Sequence, residues 1–266
     1  MVGNMAHNAA GPARDTSTRR GLEVLLAFGS DPALEQGSLG VTRIAELLGR
    51  EKSQVSRTLK TLAEFGLVER DAETREYRLG WRVYALAAIA GEQRILTAGR
   101  PILQELSREF GESAYISVRQ GAESLTVLAE SAAARVQSAG WVGRTTPLYC
   151  TAVGRALLLD EDDEQVRTIL AGIPMAPIAP RTATSADAFL QRLDEARAVG
   201  CAIAADELEA GLLSVAAPVR DPQGRIAAVI NIAGPTYRFG DHRDEAAHRL
   251  LEATERLSES LKGAHI

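Results

Sequence analysis

Two cysteines, Cys150 and Cys201, in 266 residues are too few for a disulfide framework, so the fold must rest on its cores and a reducing compartment, the cytoplasm, is expected. No apolar run approaches the roughly 20 residues of a membrane span. The opening MVGNMAHNAAGPARD has no charged start followed by an apolar stretch, so no secretory signal is expected either. A G-x-S-x-G elbow, an S-x-x-K pair, a Walker loop and a G-x-G-x-x-G turn are all missing, which removes the commonest sequence routes to hydrolase, NTPase and dinucleotide chemistry. The four histidines, His7, His242, His248 and His265, make no metal-like spacing with one another or with cysteine. The acidic run Asp160 to Glu164 points its carboxylates in different directions, as caps and solvated charge do. Neither metal nor cofactor is expected. Positive charge is not in excess: a net charge of −5 is wrong for a protein that coats nucleic acid without regard to sequence.

What is present begins with size. A chain of this length with 45% apolar residues has enough material for about two domains, each with a core. The most informative stretch is Val41 to Leu79, VTRIAELLGREKSQVSRTLKTLAEFGLVERDAETREYRL. Thr42 is a candidate N-cap for a helix with an apolar stripe of Ile44, Ala45, Leu47 and Leu48, ended by Gly49. A second helix starts near Ser53; Val55, Leu59 and Leu62 follow i, i+4, i+7 and must face one core. Its other face carries Ser53, Gln54, Arg57, Lys60 and Thr61, small hydrogen-bonding groups and cations suited to base edges and phosphates in a major groove. Gly66 closes that helix. Leu67 to Arg70 and Tyr77 to Leu79 then alternate like paired strands around the polar turn Asp71 to Glu76. Two helices, a tight break and a charged hairpin in that order predict a winged helix-turn-helix that reads double-stranded DNA. Positive charge is concentrated there, at Arg50, Lys52, Arg57 and Lys60 and on the wing at Arg75 and Arg78. The residues expected at DNA are Thr42, Lys52, Ser53, Gln54, Ser56, Arg57, Lys60, Thr61 and Arg75.

Around this core the sequence predicts a disordered leader over 1–15, with Met5 a second candidate start, and a third helix capped by Thr16 or Ser17 whose Leu22, Val24, Leu25, Leu26 and Phe28 pack behind the reading pair. Gly29 to Gly40 reads as a loop. Trp81 to Ala90 is an apolar helix, and a further helix runs from about Ala98 to Phe110 with Pro101 near its first turn. An apolar linker helix needs a partner, and a second copy of the chain would give two reading helices for a palindromic site. From Ser113 short β-rich runs take over: SAYISVRQG, SLTVLAES, RVQSAGWVG, GCAIAA, LLSVAAPVRD and RIAAVINIAG, the last two joined by a turn at Asp221 to Gly224. Helices are expected at Thr151 to Leu159, Glu161 to Ala171, Ala186 to Val199 and Arg243 to Lys262. The class is α+β, divided into a winged helix-turn-helix domain at 16–80, a linker helix at 81–97 and a second domain at 98–266.

With these segments in view the chain resembles the IclR family of bacterial transcriptional regulators, from about Arg19 to Leu261. The likeness is carried by the winged helix with RGLEVLLAF before it and YRLGWRVYALA after it, by GRTTPLYCTAVGRALLL at Gly143 to Leu159, and by GCAIAADELEAGLLSVAAPVRDPQGRIAAVINIAGP at Gly200 to Pro235. The last matches the family signature at Gly200, Glu207, Ser214, Val215, Ala216, Val219 and Asp221. It departs at Ala204, where the family usually has Asp or Ser, and at Arg220, where it has an aromatic or His. The spellings look closest to the subgroup that controls aromatic degradation through the β-ketoadipate pathway. The resemblance implies a GAF-like C-terminal domain, with a mainly antiparallel sheet flanked by helices, that binds a small acidic effector, and a homodimer or homotetramer acting on operator DNA of a catabolic operon. Thr145, Thr146, Tyr149, Cys150 and Thr151 precede a helix whose N-terminal N–H groups and hydroxyls suit a carboxylate, and Gly154 in its first turn joins the expected effector site. Ser214, Asn231, Ala204 and Ala233 are placed in the same pocket by the family motif. Ala204 frees volume and favours an aromatic acid or derivative over a very small keto acid. The competing class is an enzyme with Cys150 as nucleophile at a helix N-terminus; Glu207 and Glu209, in a turn, have no evident partner for acid–base work. No catalytic residue is assigned.

Overall fold

The computed structural model describes residues 16–30, 33, 36–89, 93–131 and 141–262. The expected leader at 1–15, part of the Gly29 to Gly40 loop and the RVQSAG part of the third β-rich run lie outside them. The chain divides into two compact units, Met1–Ile89 and Ala90–Ile266.

In the first unit, α1 (Ser17–Leu26) is capped by the Thr16 side chain, which accepts from the Arg19 N–H. α2 (Val41–Leu48) and α3 (Lys52–Glu64) follow, then the strands β1 (Val68–Arg70) and β2 (Tyr77–Leu79) and α4 (Trp81–Ile89). Gly49 at φ 61 ends α2 in the left-handed region, where a side chain is strained and glycine is not. β1 and β2 pair antiparallel with Val68 opposite Leu79, so the wing is present, and Leu39 adds a bridge to Tyr77 from within the expected loop. Ile44, Val55, Leu59, Val68, Tyr77, Leu39, Val24 and Phe28 form one core. Two expectations need correction. Thr42 does not cap α2: the helix starts at Val41 after Gly40, which puts Thr42 inside the first turn, exposed. Leu22 and Leu26 do not pack behind the reading pair. They are largely exposed, because at 3.6 residues per turn they share a face opposite to the one that Val24 and Phe28 bury.

The second unit is built on a six-stranded antiparallel sheet. Its strands are β3 (Ser113–Gln120), β4 (Glu123–Glu130), β5 (Thr145–Pro147), β6 (Ala202–Ala205), β7 (Leu212–Arg220) and β8 (Ile226–Pro235), in the order β5-β4-β3-β8-β7-β6. Alternation along the central strands sorts side chains to two faces. Val215, Ala217, Ile230 and Ile232 meet Leu103, Leu106, Leu250 and Leu257 of α5 (Gln93–Phe110) and α10 (Arg243–Lys262). On the other face Ala204, Ala216 and Val229 meet α6 (Ala152–Leu157), α7 (Asp163–Leu170) and α8 (Ala186–Val199) through Ala156, Val166, Phe189 and Leu193. A short α9 (Thr236–Phe239) leads from β8 toward α10.

α5 begins about a turn earlier than Ala98, and Pro101 sits inside it rather than in its first turn. A proline removes a single backbone donor, and the burial of Ile95, Leu103 and Leu106 on both sides of it holds the helix together. The acidic run is spent locally. Asp160 pairs with Arg220, Glu161 with Arg119 at 2.7 Å and Asp163 with Arg197 at 2.9 Å, while Asp162 caps α7 in a capping box with Gln165. Arg220, one of the two departures from the signature, thus has a charge partner, and its hydrogen bond to Asp160, outweighing desolvation, holds that carboxyl below its ordinary range.

Candidate functional site

In the first unit, burying Val55 and Leu59 leaves the opposite face of α3 in solvent. Lys52, Ser53, Ser56, Arg57, Lys60 and Thr61 are exposed there and Gln54 is half-buried; Thr42 on α2 and Arg75 on the wing are exposed as well. Among the described residues no ion pair engages Lys52, Arg57, Lys60 or Arg75. Two other cations expected to contribute charge are committed. Arg50 meets Glu23 of α1 at 2.7 Å, bracing α1, and Arg78 meets Glu69 across the wing at 3.0 Å. Arg75 adopts φ 61 at the wing tip, an unusual conformation for a side-chain-bearing residue.

In the second unit the sheet face beside α6 opens into a cavity of about 550 Å³. Register explains its polar lining. Ala204, Ser214, Ala233 and Ser113 lie side by side across β6, β7, β8 and β3, and next to that row Asn231 faces Tyr115. On β3 and β4, Ser117 lies opposite Thr126. Asn231 donates to the Ser214 hydroxyl at 3.2 Å, and Ser124 and Thr146 share a hydrogen bond of 2.8 Å. Trp141 stands edge-on to Tyr115, 6.1 Å between ring centres, and adds an aromatic wall.

Cys150, Thr151, Ala204, Ser214, Asn231 and Ala233 of the expected set line this cavity, and Thr145, Tyr149 and Gly154 do not. Strand alternation on β5 brings Thr146 to the lining in place of Thr145. Tyr149 packs into the core beneath α6 and α8, where its hydroxyl donates to the Ala176 carbonyl at 3.2 Å. Gly154 is wedged against the chain before it: a Cβ there would lie 2.0 Å from the Leu148 carbonyl oxygen. Gly154→Ala should therefore lower stability by about 1–3 kcal/mol or more, read as an earlier urea midpoint. The helix start is not the open anion cradle expected either, because Thr151 accepts from the Gly154 N–H at 2.9 Å and caps α6 itself.

Glu207 has the partners that its place in a turn seemed to deny it. It is among the cavity's lining residues, and its carboxylate accepts from Arg155 of α6 at 2.8 and 3.0 Å and from Arg192 of α8 at 2.7 Å. Arg155 is 1% exposed and also donates to the Ile203 carbonyl at 2.6 Å. Thr182 binds the Glu207 carbonyl at 2.7 Å, so the 206–211 loop is tied down beside the cavity. A second pair, Glu112 with Arg238, sits among the lining residues. The sequence reading missed both pairs and the hydroxyls of Ser117, Ser124 and Thr126, while Thr146, named there beside the helix start, does line the cavity; polar residues at inward positions of β3 and β4 were the available signal.

Cys150 is fully buried, and burial, followed by the charge of Glu207, pushes its thiol up to about 12. A thiol so disfavoured as thiolate is the opposite of an activated nucleophile. His242 and His248 pair with Glu245 and Glu252 on exposed surface. Iodoacetamide in mildly alkaline buffer should leave Cys150 unmodified in the native protein and label it in urea, as followed by peptide mass; rapid native labelling would contradict this.

Comparison with known proteins agrees with both units. The profile of the IclR helix-turn-helix domain matches residues 17–72, and that of the bacterial transcriptional regulator IclR C-terminal domain matches residues 87–259. The HTH-type transcriptional regulator KdgR of Escherichia coli is 31% identical over 244 residues, 91% of this chain and 93% of that protein. The Pca regulon regulatory protein of Pseudomonas putida is 29% identical over 238 residues, 89% of this chain and 79% of that one. The crystal structure of an IclR homolog from Microbacterium hydrocarbonoxydans complexed with 4-hydroxybenzoate superposes with a TM-score of 0.76 at 20% identity, covering 92% of this chain and 99% of that one, a likeness of fold.

Proposed function

The chain belongs to the IclR family of bacterial transcriptional regulators, DNA-binding proteins with an effector-binding C-terminal domain and not enzymes, and from that premise we propose that it switches a catabolic operon in response to a small organic acid, an aromatic acid or a derivative of one. The observation that carries this reading is the cavity beside α6. At about 550 Å³ it is within the range of small-molecule sites and roomy for a two- or three-carbon acid. Ala204, Val153, Leu208 and Leu212 give it apolar surface next to the Asn231 and Ser214 pair, and the rings of Tyr115 and Trp141 add aromatic lining suited to an aromatic guest. The Pca regulon name of one relative and the 4-hydroxybenzoate of one structural neighbour lie in the same chemical direction.

The other half of the reading concerns DNA. Lys52, Ser53, Gln54, Ser56, Arg57, Lys60 and Thr61 of α3 enter the major groove of an operator, with Thr42 and Arg75 at the flanking backbone. Trp81, Tyr84 and Leu86 of α4 are largely exposed, and we assign them to a contact with a second copy, giving a homodimer or homotetramer that works in the cytoplasm on chromosomal DNA. The division into a DNA-reading domain at 16–80, a linker at 81–97 and an effector and oligomerisation domain at 98–266 completes the scheme. Thermal melting of the full chain against aromatic and aliphatic acids tests the effector class. Stabilisation by an aromatic acid supports it; stabilisation only by very small keto acids contradicts it.

A further inference from the structure

Effector sensing in the cavity leaves open which group tells an acid from its neutral analogue. Most of the polar lining is indifferent to that difference: the hydroxyls of Ser117, Thr126, Thr151 and Ser214 and the amide of Asn231 donate or accept with either. Of the lining carboxylates, Glu207 is matched by Arg155 and Arg192, and Glu209 stands in solvent. Among the described lining residues Arg238 is the one cation.

Its guanidinium is held and only partly spent. Nε and Nη2 donate to Glu112, Nη2 at 2.6 Å, while Nη1 is buried without a partner among the described residues. Glu112 is itself 4% exposed and wedged against β8, where a Cβ on Gly234 would lie 2.5 Å from its Cδ. Packed there and bonded to two nitrogens of the arginine, the carboxylate fixes the plane of the guanidinium. Both hydrogens of Nη1 and one of Nη2 are unspent, adjacent donors whose spacing fits the two oxygens of a carboxylate, and Nη1 comes within reach of a ligand once the side chain turns to uncover it. A buried donor left without an acceptor is costly in a folded protein, and a ligand that supplies one recovers that cost.

We propose that Arg238, oriented by Glu112, is the acid-selecting residue of this cavity and binds the effector carboxylate through its guanidinium, Nη1 being uncovered as the acid enters. The assignment rests on the cavity being the effector site. It makes Glu112 a positioning residue with an opposing influence, since its charge holds the fork in place yet repels the incoming acid.

The test is calorimetric titration of the full chain with matched acids and carboxamides, 4-hydroxybenzoate and 4-hydroxybenzamide first, followed by aliphatic hydroxy acids and their amides. The wild type should favour an acid over its amide. Arg238→Gln should weaken that acid by about tenfold or more and bring it level with the amide. Glu112→Gln, which removes the repelling charge and keeps the arginine, should bind the acid at least as tightly as the wild type, a result that simple loss of structure would not give. Should Arg238→Gln melt early, the Glu112→Gln, Arg238→Gln pair, which leaves neither charge buried alone, takes its place. An acid that binds Arg238→Gln, or that double variant, as it binds the wild type, while still shifting DNA binding, leaves effector sensing intact and overturns the role of Arg238. Binding by no compound of either charge overturns effector sensing itself and Arg238 with it.

Discussion

Glu207→Ala should cost the C-terminal unit about 3–5 kcal/mol, the usual consequence of leaving a buried cation without its counter-charge. Arg155 is the group that suffers. At 1% exposure its guanidinium cannot reach water, and with Glu207 gone it keeps, among the described residues, only the Ile203 carbonyl. Arg192, 28% exposed at its side chain and bonded to the Arg181 carbonyl, can turn to solvent and contributes less. The loss should appear as a lower urea midpoint by circular dichroism and be strongly non-additive with changes at Arg155. Arg155→Met with Glu207→Leu, which replaces both ions by apolar groups of similar size, should recover most of it. A midpoint for Glu207→Ala equal to that of the wild type would mean the pair is solvated and not structural.

Arg57→Ala should weaken binding to the operator by about 1–3 kcal/mol, roughly 5- to 150-fold, and relax discrimination at one base pair. Arg57 lies on the solvent face of α3, opposite Val55 and Leu59, and among the described residues no ion pair holds it back from a base. Lys60→Ala, by contrast, should weaken all sequences alike and reduce the salt dependence by about one phosphate contact. Competition binding against operators substituted one base pair at a time separates the two. A loss at Arg57 that is uniform over those sequences would make it a phosphate contact.

Local signals carried most of the fold. Ser185 and Gly200, at φ 78, bracket the helix Ala186–Val199, and its ends coincide with those read from the sequence. The wing was legible because strand, charged turn and strand are contiguous. Pro101 misled because proline usually marks a first turn, and only the buried residues on either side reveal that α5 continues through it. The site was half legible. Ser214, Asn231, Ala233 and Ala204 came from a motif within one hairpin and its neighbouring strand. The Arg155 to Glu207 pair spans 52 residues and the Glu112 to Arg238 pair 126, and no local pattern links groups joined only by the folding of the sheet. Tyr149 shows the converse: next to a lining cysteine in sequence, it turns into the core.

The most direct test of a ligand-gated DNA reader is fluorescence anisotropy of the full chain on the DNA upstream of its own gene and on scrambled DNA, with and without aromatic acids. Saturable binding confined to the native DNA and shifted by one acid is the predicted result. Equal, weak binding to both DNAs, unmoved by every compound, would contradict it.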